Sequence, residues 1–173
     1  MQVHQSKYLV EIGFPAPVAA WALGLVSLVA IPGQIALRHL SDRIGREWAW
    51  GIGCSGVAVC LVTLIALAGR PSPLLLDVMI IAQGGLGYGI TSVLGAVVAE
   101  IFAGEHYASI FGTLMLSALV GGAVGPYLTG ALHDRFGNYT LAFAIALGLS
   151  GLSALAIWRA APRKVRTVAG RTR

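Results

Sequence analysis

Chemistry in this 173-residue chain is confined to a few short places, and the densest is Leu40-Ser41-Asp42-Arg43-Ile44-Gly45-Arg46. A carboxylate, two guanidinium groups and a glycine fall together there. Such a segment is suited to two tasks. Gly45 lets the chain reverse after a helix, and the charges can bridge neighbouring helix ends. Asp42 is also suited to face a helix N-terminus, where a carboxylate gains roughly 0.3–1 kcal/mol. The plainer alternative is a solvated turn that only joins two helices.

A second set carries no charge: Gln83, Tyr88, Thr91 and Ser92, with Ser117 further on. Side chains of this kind hold a polar solute by hydrogen bonds. Equally, they hydrogen-bond helix to helix, at about 0.6 kcal/mol per contact in a membrane. Between them runs Gln83-Gly84-Gly85-Leu86-Gly87-Tyr88-Gly89, whose glycines imply close packing, local flexibility or a helix broken at depth. Enzyme chemistry finds no support. There is no nucleophile–base pair, no HExxH-type metal site and no phosphate loop, so neither cofactor nor metal is expected. Cys54 and Cys60 match neither a CxxC redox pair nor a metal knuckle, and read as small apolar residues within a helix.

The elements that position these residues are written in the charge pattern. Five runs lack any charged residue: Ile12–Leu37, Trp48–Gly69, Val78–Ala99, Tyr107–Leu132 and Phe136–Trp158, of 26, 22, 22, 26 and 23 residues. A helix needs roughly 20 apolar residues to cross a bilayer. Only 11% of the chain is charged, against about 25% in an ordinary soluble domain. Backbone groups in lipid must be satisfied within their own segment, and the alternation of a β-barrel is absent. The sequence therefore predicts an all-α integral membrane protein with spans at about 16–37, 48–69, 74–101, 107–132 and 139–158. Residues 1–14 form the outer end of an incomplete helix, 15–158 the five-helix part and 159–173 a basic tail.

Within the spans, Pro32-Gly33 should weaken or kink the first helix. Trp48, Trp50 and Trp158 suit the interface. Gly121 and Gly125, followed by Pro126, form a small-residue face suited to helix packing. No Arg, Lys, Asp or Glu lies at mid-depth, so an ion pathway is not written into these spans.

The net charge of +5 raises the question of a nucleic-acid partner, and placement argues against one. Nine of the twelve basic residues fall on one side if every run crosses once: Arg38, Arg43 and Arg46, and six from Arg159 onward. Lys7, Arg70 and Arg135 fall on the other. The positive-inside rule puts the N-terminus outside and the C-terminus in the cytoplasm, in a multi-pass protein of the cell (inner) membrane. The lipid bilayer is thus its principal partner, and the first seven residues are no signal peptide.

The segment ending at Arg46 resembles the cytoplasmic loop motif of the major facilitator superfamily, G-x-x-x-D-R-x-G-R, in its second copy. Asp42, Arg43, Gly45 and Arg46 match, and Arg38 stands where the family has its leading glycine. Gly121-xxx-Gly125-Pro126-xxx-Gly130 resembles the glycine-proline motif of the family's fifth and eleventh helices. His4-xxx-Tyr8-Leu9-xxx-Gly13-Phe14 resembles the outer end of the seventh helix in the monocarboxylate and oxalate/formate branches. Asp134-Arg135-Phe136-Gly137 echoes the loop motif on the outer side.

The resemblance implies that the five spans are helices eight to twelve of a twelve-helix transporter, preceded by the end of the seventh. Transporters of this kind bind solute between two six-helix halves. On this register the chain is N-terminally truncated and does not transport alone. A complementary N-terminal half, or self-association, would complete it, and the solute is small, with an organic anion as the candidate. The resemblance further implies that Asp42 and Arg43 act with Glu100 as a charge relay closing an inner gate. It also implies that the tenth helix, with Gln83, lines the cavity. The alternative is a membrane interaction or adaptor protein, or an inactive gene fragment.

Overall fold

A computed structural model describes residues 2–160 other than 103 and 105. The basic tail falls outside the described residues. Helix α1 spans Gln2–Glu11, α2 Ala16–Ile44, α3 Arg46–Gly69, α4 Pro73–Ile80, α5 Gly89–Ile101, α6 Tyr107–Phe136 and α7 Thr140–Ala160. A π-helical segment, Ile81–Gly87, joins α4 to α5, so that these three form one continuous rod. No strand occurs among the described residues. The chain is an all-α membrane protein with five helices long and apolar enough to cross a bilayer.

Helix ends depart from the sequence expectation. Helix α2 was expected to stop near 37 but continues to Ile44, because nothing between Arg38 and Ile44 interrupts its backbone hydrogen bonds. What stops it is Gly45, at φ 110° and ψ 152°, and α3 begins at the next residue. The predicted loop is therefore a single residue, in a conformation that side-chain-bearing residues rarely adopt. At the opposite end α6 runs on to Phe136 and stops at Gly137 in the left-handed conformation, whose N–H donates to the His133 carbonyl at 2.7 Å.

The glycine-rich rod is not broken. Widening to the π form keeps the backbone bonded, with the Tyr88 N–H donating to the Gln83 carbonyl at 3.0 Å. Its glycines serve close packing. A Cβ at Gly84 would sit 2.6 Å from the Val26 carbonyl oxygen, and one at Gly33 would fall on the Gly85 backbone. Gly53 and Gly56 admit Ile90 and Leu86 from the other side. The π segment is thus pressed between α2 and α3, and α7 packs on the outside of α3.

Two apolar clusters fill the bundle. Leu9, Val26, Leu61, Leu64, Met79 and Phe143 belong to one, and Leu37, Trp50, Cys54, Val93 and Val97 to the other, nearer Gly45. Helix α6 shares little of either. It lies against α1, α5 and α7 only at its margins, and its apolar window holds no buried residue. Tyr127 on α6 is 75% exposed and Trp21 on α2 is 72% exposed.

Candidate functional site

At the end of the bundle marked by Gly45, one guanidinium organises the charges. Arg46 Nη1 lies 2.6 Å from Asp42 Oδ1, its Nε donates to Glu100 Oε1 at 2.9 Å, and Nη1 also donates to the buried Ser41 hydroxyl at 2.7 Å. The cluster ties the last turn of α2, the first residue of α3 and the end of α5. Asp42 and Glu100 thus share one site through Arg46. The cation between them is Arg46, not Arg43, which is turned away around the helix and exposed. Being in helix rather than loop, Arg43 has its direction fixed by the 100° step per residue, and that step carries it off the cluster face.

Arg38, in the place of the motif's glycine, also works across helices. Its Nη1 donates to the Ser92 carbonyl at 3.0 Å, and the Ser92 hydroxyl bonds the Gln34 carbonyl at 3.2 Å and its own helix at Gly89, 2.7 Å. Gln34, Ile35, Arg38, His39, Asp42 and Ser92 border an open cleft of about 470 Å3.

Deeper in the bundle, the amides of Gln5 and Gln83 bond reciprocally, at 2.8 and 3.1 Å. Gln5 also donates to Met79 Sδ at 3.0 Å, and the Cys60 thiol lies 3.6 Å from Gln83 Oε1. Nearby, the Tyr8 hydroxyl donates to the Leu64 carbonyl at 2.6 Å. Gln83, Tyr88 and Thr91 line one cleft of about 390 Å3 together with Cys60. Thr91 spends its hydroxyl on the Tyr88 carbonyl at 2.8 Å. Ser92 belongs to the other cleft, and Ser117 to neither: it is exposed on α6 and bonds its own helix at Leu114.

Gly121 and Gly125, expected to serve helix packing, meet no close neighbour among the described residues. A Cβ at either would meet nothing within 4 Å: Gly121 is exposed, and Gly125 lines an open cleft toward Ala142, Ala146 and Leu149 of α7. Pro126 stays within an unbroken α6, and its carbonyl accepts a hydrogen bond from His4 Nε2 at 3.1 Å. At the end opposite Gly45, His133 lies 3.4 Å from Glu11 and stacks on Tyr139, centroids 4.2 Å apart. Burial, with the Glu11 and Asp134 charges adding to it, raises the Tyr139 hydroxyl above its ordinary pKa of 10.0.

Sequence reasoning passed over Gln5, Arg38, Glu47 and His133. Gln5 had a signal: it shares a helical face with Tyr8 and Leu9, both buried. Glu47 stands just before the expected start of the second span at 48, and nothing in its spacing marks it as buried. Among the described residues no three His, Cys, Asp or Glu groups gather as metal ligands.

Comparison with known proteins covers nearly the whole chain. The family model described as Major Facilitator Superfamily matches residues 5–172. Monocarboxylate transporter 13 of Rattus norvegicus is 28% identical over 156 residues, covering 83% of this chain and 33% of that protein. Monocarboxylate transporter 13 of Bos taurus is 28% identical over 149 residues, covering 83% and 34%. The chain therefore spans about a third of the length of these curated relatives. No solved structure matches it.

Proposed function

Because the chain belongs to the major facilitator superfamily, we propose that it supplies the outer end of helix seven and helices eight to twelve of a facilitator-type secondary transporter. On this reading it moves a small solute only together with a complementary half or a second copy. An organic anion is the solute class we favour, supported by the monocarboxylate transporters among its relatives.

The observation that carries the reading is the open face of α2 and α6. Trp21, Leu28, Ile31 and Ile35 on α2, and Leu116, Leu119 and Tyr127 on α6, are large apolar side chains left exposed. The unpacked Gly121 and Gly125 lie on α6 as well. Lipid covers a large apolar side chain at no loss, but small-residue faces gain from another helix at close range. In facilitators, solute is held between two such halves.

Within the assembled transporter, the Asp42–Arg46–Glu100 cluster holds α2, α3 and α5 together at the cytoplasmic end and opens as the inner gate opens. Gln83, Tyr88 and Thr91 are the solute-facing side chains, with Gln5 released from Gln83 when solute binds. The N-terminus is outside and the C-terminus cytoplasmic, following the nine-to-three division of basic residues.

Co-expression tests the proposal. The chain is reconstituted in proteoliposomes alone, and together with the first six helices of a monocarboxylate transporter, and uptake of labelled lactate is followed. Uptake by the pair but by neither part supports the reading. A stable pair that moves neither lactate nor other small organic anions overturns it in favour of an adaptor.

A further inference from the structure

Glu47 is the one carboxylate of the chain that is deeply buried among the described residues, at 6% exposure. It is the second residue of α3, one position after the Arg46 hub, yet it takes no part in that cluster. Among the described residues it has no hydrogen bond and no ion pair. Arg46 is already engaged by Asp42, Glu100 and Ser41. No buried side-chain oxygen among the described residues lacks a partner, so the unpaired Glu47 oxygens reach the cleft that the residue lines, and a negative charge held there draws a cation.

The carboxylate opens into a cleft of about 440 Å3 between α3 and α7. Its mouth is framed by Trp48 and Trp158, whose rings meet edge to face at 5.0 Å. Its walls are Gly51, Ile52, Ser55, Ala154 and Leu155. Ser55 has already given its hydroxyl to the Ile52 carbonyl at 2.7 Å, which leaves the interior apolar. Gly51 keeps it open, since a Cβ there would meet nothing within 4 Å. From Glu47 to Ser55 the groove extends about 12 Å along the helix, at a rise of 1.5 Å per residue.

We propose that this cleft is a binding site for a phospholipid whose headgroup ends in a primary ammonium, with Glu47 holding the ammonium and the Gly51–Ala154 groove holding the start of an acyl chain. Depth, charge and shape agree. Paired tryptophans at a helix end sit at the level of lipid headgroups. A bare carboxylate needs N–H donors, which a primary ammonium supplies three times over and a quaternary ammonium lacks. A divalent metal would require several oxygen ligands around it, and one carboxylate does not provide them. Arg159, next after Trp158 on α7, places a guanidinium at the same end for the phosphodiester. The site lies on the outside of the bundle between α3 and α7, away from the open α2–α6 face, and does not depend on the transport reading.

Native mass spectrometry of the full 173-residue chain, exchanged in turn against phosphatidylethanolamine, phosphatidylcholine and phosphatidylglycerol of identical acyl chains, tests it. The wild-type chain should retain phosphatidylethanolamine roughly tenfold more tightly than the other two, the worth of one charge-assisted hydrogen-bonded contact. Glu47→Gln should abolish that preference. Gly51→Leu, which keeps the carboxylate but fills the groove, should weaken retention as well. Equal retention of all three lipids by the wild-type chain overturns the proposal without recourse to any variant. So does an undiminished preference in Glu47→Gln.

Discussion

Gln5 and Gln83 exchange two side-chain hydrogen bonds, at 2.8 and 3.1 Å, across 78 positions of sequence. Each amide satisfies the other, so α1 is fastened to the π segment without a charge being placed in the bundle. The same pairing means that a solute reaching Gln83 must compete with Gln5 for it.

Gln5→Leu should therefore destabilise the chain by about 1–2 kcal/mol, because it leaves the Gln83 amide without its main partner. Replacing both by leucine should cost less than the two single changes added together. Thermal melts of the four proteins in one detergent measure the coupling.

Arg46→Ala should cost about 1 kcal/mol and Arg43→Ala less than about 0.5 kcal/mol, since only the first removes charge-assisted bonds between helices. Glu100→Gln combined with Arg46→Ala should add little to Arg46→Ala alone. Equal effects of the two arginine changes would place the cation of the cluster elsewhere.

The glycines divide into two classes that one substitution separates. Gly84→Ala should cost about 1–3 kcal/mol, because a methyl group there meets the Val26 carbonyl. Gly125→Ala should be neutral in the isolated chain to within about 0.5 kcal/mol. In the reconstituted pair, Gly125→Leu should prevent assembly, read as loss of co-purification.

Tyr139 gives an alkaline signature. Its folded pKa is raised above 10.0, first by burial and then by Glu11 and Asp134, so the unfolded chain ionises earlier than the folded one. The stability it lends is complete below pH 10 and is lost as pH rises through the folded value. Tyr139→Phe should accordingly lose less stability between pH 9 and pH 11 than the wild-type chain, in melts compared at about those two values.

The spans were legible because each is a charge-free run long enough to cross lipid, a property of composition that packing cannot disguise. Helix ends were not. Charges from Arg38 to Arg43 mark the membrane edge, but an α-helix passes through that edge as readily as it stops there. The resemblance grouped Asp42 and Arg43 with Glu100, but which arginine reaches the carboxylates depends on where Gly45 interrupts the helix. Likewise Gly84 and Gly121 look alike in sequence. Only the arrangement of helices shows that one is crowded by α2 and the other is exposed. Glu47 was hidden by its position, where a boundary charge and a buried one are written identically.

Gly45 alone separates a helix of 29 residues from one of 24. With no slack between them, the two rods cannot slide lengthwise past one another, and the freedom left to them is to splay about that single point, like the arms of a pair of dividers. A rotation of a few degrees there becomes a displacement of a few ångströms at the far tips, about 40 Å away at 1.5 Å per residue. Whatever loosens or tightens the clasp around Arg46 thus acts at the short end of a long mechanical advantage.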